Sequence, residues 1–112
     1  MEVTATTRHA GFSPSKARLV LAHLPGKSVQ DALDLLKFMT SPHARLIAKV
    51  VKSAAANADN NYAMDTDALY VKRAVAGDGQ RLRRFRAAPR GRVHRYQRRT
   101  CHITIVVEER ER

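Results

Sequence analysis

From Arg81 to Arg99 the chain reads RLRRFRAAPRGRVHRYQRR, nine arginines in nineteen residues with no lysine and no acid. The acid-free stretch is wider still, running from Gly79 to Val107. The 12 lysines and arginines elsewhere face all 10 acids, so the rest of the chain nets only +2 of the formal +11. Such a block repels itself, and its main apolar cover is Leu82, Phe85, Val93 and Tyr96. It cannot build a core, and it calls for an external polyanion. Arginine alone, without lysine, favours bidentate phosphate contacts and stacking on bases. The segment therefore reads as a nucleic-acid-binding arm, with Arg81, Arg83, Arg84, Arg86, Arg90, Arg92, Arg95, Arg98 and Arg99 as its phosphate ligands.

What surrounds the arm has the make-up of one small domain. A chain of 112 residues with 44% hydrophobic content has room for one modest core and not for two. A single cysteine, Cys101, allows no internal disulfide and suits a reducing compartment. No apolar run approaches the roughly 20 residues that span a bilayer, and MEVTATTRHA lacks the apolar stretch of a secretory signal. A cytoplasmic protein with no membrane contact is expected.

Local signals give the elements. Val3, Ala5 and Thr7 alternate with Thr4, Thr6 and Arg8 as a short strand. Ser13-Pro14 opens a helix predicted to run to about Leu24, with Ala17, Val20, Leu21 and Leu24 on one face, before Pro25-Gly26 stops it. Ser28 caps a second helix, with Asp31 in its first turn and Val29, Ala32, Leu33, Leu36 and Met39 at helical spacing. Ser41-Pro42 repeats the cap-and-proline signal for a third and longest helix, carrying Leu46, Ile47, Val50, Val51, Ala54, Ala58 and Tyr62 on its apolar side. After Asp67 the period becomes two, with Leu69, Val71, Arg73 and Val75 against Tyr70, Lys72, Ala74 and Ala76. It does so again where Thr100, His102, Thr104 and Val106 alternate with Cys101, Ile103, Ile105 and Val107. The arginine block lies between these last two strands, so their antiparallel pairing makes it a hairpin. A turn near Ala88-Pro89-Arg90-Gly91 gives it a reach of roughly 36 Å at about 3.3 Å per residue. The globule is then about 1–77 and 100–112, and the arm about 78–99, mobile in the free protein.

A second basic set is Arg8, His9, Lys16, Arg18 and Lys27. Lys16 and Arg18 fall near the start of the first helix, where cations oppose its dipole, a cost that a nearby phosphate would offset. Arg45, Lys49 and Lys52 line the third helix opposite its apolar stripe and read equally as a solvated face. Phe85, His94 and Tyr96 offer stacking surfaces for unpaired bases, which favours RNA with loops over plain duplex. Neutralising six to nine phosphates would give a log–log salt slope of about −4 to −8.

Enzyme signatures are missing. The five histidines are scattered, Asp65-x-Asp67 reads as an ordinary turn, and Gly77-Asp78-Gly79 is followed by no Gly-Lys-Ser/Thr. His102 reads as structural. No cofactor or metal is expected.

Five motifs in order carry a family resemblance over nearly all 112 residues. They are Ser13-Pro14-x-Lys16-x-Arg18, Gly26-Lys27-x-Val29-x-x-Ala32-Leu33, Ser53-Ala54-x-Ala56-Asn57-Ala58, Arg90-Gly91-Arg92, and Arg98-Arg99-Thr100-x-His102-Ile103-Thr104. Together they resemble the family of large-ribosomal-subunit protein twenty-two in its short bacterial form. The resemblance implies an α+β fold of three helices packed on a small three-stranded antiparallel sheet, with a long protruding β-hairpin. It implies a non-enzymatic protein that binds large-subunit rRNA and supports early assembly. The globule would sit near the exit-tunnel mouth, and the hairpin tip would line the tunnel beside the extension of large-subunit protein four, against the passing nascent polypeptide. It implies no homo-oligomer. Carried onto this chain, Arg81–Arg99 become the rRNA-contacting arm. Arg84, Phe85, Arg86, Ala87, Ala88, Pro89, Arg90, Gly91 and Arg92 become the tip, and Arg8, Lys16, Arg18 and Lys27 become contacts of the globule. The tip departs from the family's usual pattern in having one arginine fewer and a shifted proline, and Cys101 stands where serine is usual. The competing reading from the residues alone is an RNA- or DNA-binding regulator acting off the ribosome, although no recognition helix is evident.

Overall fold

A computed structural model describes residues 2–87 and 89–109. Nine residues of alternating pattern form β1 (Glu2–Ala10), followed by α1 (Pro14–Leu21), α2 (Val29–Phe38) and α3 (Ala44–Tyr62). A 3-10 turn at Thr66–Ala68 leads into β2 (Leu69–Asp78). Then come β3 (Leu82–Ala87), a 3-10 turn at Pro89–Gly91, β4 (Val93–Arg98) and β5 (Cys101–Glu109). The strands make two antiparallel sheets, one in the order β1-β5-β2 and the other β3-β4. This is the expected α+β class, with the last strand in sequence at the centre of the larger sheet.

β5 is central because it is the most apolar strand. Cys101, Ile103, Ile105 and Val107 point to one face and are fully buried, as the alternation predicts. On that face lie Ala17, Leu21, Ala32, Leu36, Ile47, Val51 and Ala54 of the helices, which join them in one core. Val106, on the opposite face, is also buried, across from Thr4 on β1 and Arg73 on β2.

β2 does not keep one alternation throughout. Its register against β5 shifts between Val71 and Arg73, leaving Lys72 as an extra residue. A bulge of this kind reverses the phase of everything after it. Leu69 and Val71 face the core before it and Ala76 after it, so Val75 is left exposed at 53%. The outer edge of β2 is covered by the α1–α2 loop. The Gly26 N–H donates to the Val71 carbonyl and the Val71 N–H to the Lys27 carbonyl, each at 2.8 Å. Gly26 holds φ +86° there, a conformation that favours glycine. Covering an edge in this way blocks further strand pairing.

Helix boundaries follow the sequence signals in part. Ser28 accepts the Asp31 N–H at 3.2 Å, as a cap should. α1 ends at Leu21 rather than Leu24, because the chain tightens into turns in which His23 and Leu24 donate three residues back, to Val20 and Leu21. α3 begins at Ala44, two residues later than Ser41-Pro42 predicts. The Ser41 hydroxyl instead accepts the His43 N–H at 3.3 Å and makes a turn, while the His43 ring packs on Phe12 at 4.2 Å. At its far end, Ala63 in the left-handed region donates to Asp59, and Met64 donates to Ala58, which satisfies the last carbonyls. Tyr62, expected on the apolar side, is 52% exposed because α3 has by then run past the core.

Candidate nucleic-acid interface

The arm is a ladder of six residue pairs, from Leu82↔Arg98 to Ala87↔Val93. An isolated two-stranded ribbon is marginal in water, and directly opposed like charges weaken it further. The register avoids that. Arg83 lies opposite Gln97, Arg84 opposite Tyr96, Arg86 opposite His94, Arg95 opposite Phe85 and Arg98 opposite Leu82. A slip of one residue in either direction would set Arg95 against Arg86 or against Arg84.

The pleat then divides these groups between two faces. Leu82, Arg84 and Arg86 share one face with Arg98 and Tyr96, and Arg83 and Phe85 share the other with Gln97 and Arg95. Each face has one aromatic with a guanidinium above it. Arg86 sits 5.7 Å from the Tyr96 ring centre and Arg95 sits 5.9 Å from that of Phe85. Contacts of this kind at exposed sites contribute about 0.5–1 kcal/mol. Phe85 is nevertheless 66% exposed, so its ring is open to a further stacking partner. Neither side of the arm is an inner side.

All nine arginines of the arm are exposed. Among the described residues, Arg99 is the one of them that meets an acid, Asp78 at 3.0 Å, so it ties the arm to the sheet as well as adding charge. At the turn, Arg90 and Gly91 both hold positive φ, +64° and +73°. Of the expected tip residues, Ala88 lies outside the described residues; the turn falls at Pro89–Gly91, as predicted.

The root of the arm is tightly built. The Gly79 N–H donates to the Thr100 carbonyl at 3.0 Å, and the Thr100 hydroxyl donates to the Gln80 carbonyl at 2.6 Å. Among the described residues Thr100 is the buried polar residue, at 7% exposure. A Cβ on Gly79 would stand 2.5 Å from the Thr100 hydroxyl. In the sequence the signal for this joint is only a glycine and a threonine flanking the charge block.

The basic residues of the globule sit on separate elements, with Arg8 on β1, Lys16 and Arg18 on α1 and Lys27 in the α1–α2 loop. Two have internal partners. Arg18 Nη2 donates to the Ala76 carbonyl at 2.9 Å and Lys27 Nζ to the His23 carbonyl at 2.7 Å. Arg18 does not oppose the dipole of α1, although its position near Ser13-Pro14 suggests that it does. With α1 only eight residues long, Arg18 falls in its last turn, where a cation is favourable. Lys16 remains in the first turn. His102 is structural, as expected: its Nδ1 accepts the His9 N–H at 3.1 Å where β1 irregularly rejoins β5 between Thr7 and Ala10. Burial raises the Cys101 thiol pKa, with the Arg18 charge opposing the shift. Arg45 and Lys52, with Lys37, line an open groove between α2 and α3.

Among the described residues, no group of three or more His, Cys, Asp or Glu is placed to hold a metal ion. No described helix is long and apolar enough to cross a membrane.

A sequence profile described as ribosomal protein L22p/L17e matches residues 5–108. The chain belongs to this ribosomal protein family. Its members are structural proteins of the ribosome and not enzymes. Relatives named large ribosomal subunit protein uL22 align over almost the full length. That of Thermoanaerobacter sp. (strain X514) is 46% identical over 99% of this chain and 100% of its own. That of Thermomicrobium roseum is 45% identical over 97% and 92%, and that of Caldicellulosiruptor saccharolyticus 44% over 98% and 90%.

Proposed function

We propose that this chain is a structural component of the large ribosomal subunit in the cytoplasm, held there by large-subunit rRNA. The arm, Arg81 to Arg99, is the main contact, and Arg8, Lys16, Arg18 and Lys27 add contacts from the globule. The globule, about 1–77 and 100–112, sits near the exit-tunnel mouth, and the arm, about 78–99, passes inward. Its tip, residues 84–92, lines the tunnel beside the extension of large-subunit protein four and faces the nascent polypeptide. Binding several rRNA segments at once is also how it supports early assembly. The chain enters the particle as one copy rather than as a homo-oligomer.

The observation that carries this reading is the two-faced arm. A ladder with arginine and an exposed aromatic on both sides is suited to being enveloped by RNA, not to lying on a flat surface. The extents of 67 × 26 × 17 Å fit a small globule with such a projection. A protein bound at a surface would use one face only.

Sedimentation of the natively expressed protein through sucrose gradients at low and high salt tests the reading. Co-sedimentation with large subunits through a high-salt wash is expected. Release into the free fraction at moderate salt would favour a peripheral, off-ribosome RNA or DNA binder instead.

A further inference from the structure

A cavity of about 250 Å³ opens where the arm leaves the sheet. It exists because two ladders stop short of each other. The β2–β5 pairing ends at Asp78↔Cys101 and the β3–β4 pairing begins at Leu82↔Arg98, while β1 turns aside at His9, which holds φ +57°. The walls come from His9 and Gly11 on one side and from Gln80, Leu82, Arg98 and Arg99 on the other. Leu82 is half-buried and directly opposite Arg98 in the register, so an apolar surface and a cation adjoin. Arg99 is occupied by Asp78; Arg98 meets no acid among the described residues. At Gly11, one of these lining residues, an added Cβ would meet nothing within 4 Å, so a larger side chain has room there.

The volume is below the roughly 300–1,000 Å³ of sites that enclose a drug-sized ligand, which suits one flat ring system rather than a larger molecule. Its chemistry is an apolar wall beside a free guanidinium, in a region with net positive charge. An anion that carries a planar apolar face fits both features, and the cavity is continuous with the arm's own interface. RNA-binding proteins hold unstacked bases against aromatic rings or arginine guanidinium planes, and His9 and Arg98 are among the residues lining this cavity.

We propose that this notch seats a single unstacked RNA base, with Arg98 on the adjoining phosphate. The assignment rests on the arm's being an RNA-binding element and adds a position that distinguishes single-stranded from duplex RNA.

The test uses the full chain with two probes, oligouridylate and an RNA duplex of equal length, titrated across a range of salt. Gly11→Leu fills the mouth without changing charge. It should weaken oligouridylate binding roughly tenfold, leave duplex binding unchanged and leave the salt slope unchanged. Arg98→Gln should lower the slope by about one. Equal loss on both probes, or no loss with Gly11→Leu, overturns the notch while a steep wild-type slope keeps the arm reading standing. Failure of the wild-type chain to bind either probe overturns the arm reading and the notch with it. Cross-linking of the unmodified chain to 4-thiouridine-substituted oligouridylate is independent of any variant's folding. Adducts at residues 80–82 or 98–100 are expected, and adducts confined to residues 83–97 overturn the proposal.

Discussion

The β1-β5-β2 sheet and the β3-β4 ladder use the same antiparallel backbone hydrogen bonding but opposite side-chain rules. In the first, burial of Ile103, Ile105 and Val107 of β5 under the helices fixes its register. A slip there would turn an apolar row out to water. In the second, both faces carry arginine and neither is covered. Register there is held by which residues oppose one another, with Arg83 set against Gln97, Arg84 against Tyr96, Arg95 against Phe85 and Arg98 against Leu82. One sheet is specified by what it hides, and the other by which charges it keeps apart. The arm therefore depends on its root for stiffness, whereas the globule depends on its core.

That contrast breaks first in the core if it is wrong. Ile105→Ala should lower stability by about 2–5 kcal/mol, measured by urea unfolding, and leave the salt slope of RNA binding as it was. A loss below about 1 kcal/mol would mean that β5 is not the centre of the core. At the joint between the two regions, Gly79→Ala forces its Cβ against Thr100 and should cost about 1–3 kcal/mol. A neutral Gly79→Ala would show that the joint is loose.

Effects on the globule should then fall away along the arm. Deleting residues 83–93 should leave a cooperative thermal transition within a few degrees of wild type, since none of the described residues in that range belongs to the core; its disappearance would unite the two regions. Arg90→Ala and Arg92→Ala should each change stability by less than about 0.5 kcal/mol and reduce the salt slope by about one.

The smallest effect belongs to the ion pairs on the outer side of the sheet, where Lys72 meets Glu2 and Glu108. The Lys72 hydrogen bond holds the Glu2 carboxyl below its ordinary value, helped by the Lys72 and Arg73 charges. That contribution is complete above the ordinary carboxylate range and is lost as pH falls through the lowered value. Hydrogen bonds to Glu2 and then Glu108 hold the Lys72 ammonium above its ordinary value. Its contribution is complete below the ordinary lysine range and is lost as pH rises through the raised value. Lys72→Met should therefore remove a small increment at neutral pH and flatten both limbs of the stability profile, the effect being kept small by solvent screening. A large neutral-pH loss would place Lys72 in the core set instead.

Much of this was written in short-range signals. The arm announces itself because nine arginines without an acid can be neither core nor ordinary surface. Ser28 with Asp31 marks α2, and the period-two run from Cys101 to Ile105 marks β5. These depend on neighbours a few residues away, so the sequence alone determines them. The central place of β5 and the phase reversal at Lys72 were settled by partners far along the chain. So was the arm's register, because arginines on β3 are spaced safely or dangerously only against a chosen alignment of β4. The notch at the root is the extreme case. Leu82, Arg98, His9 and Gly11 share no pattern in sequence, and they meet only because two ladders end at different residues and a third strand bends away between them.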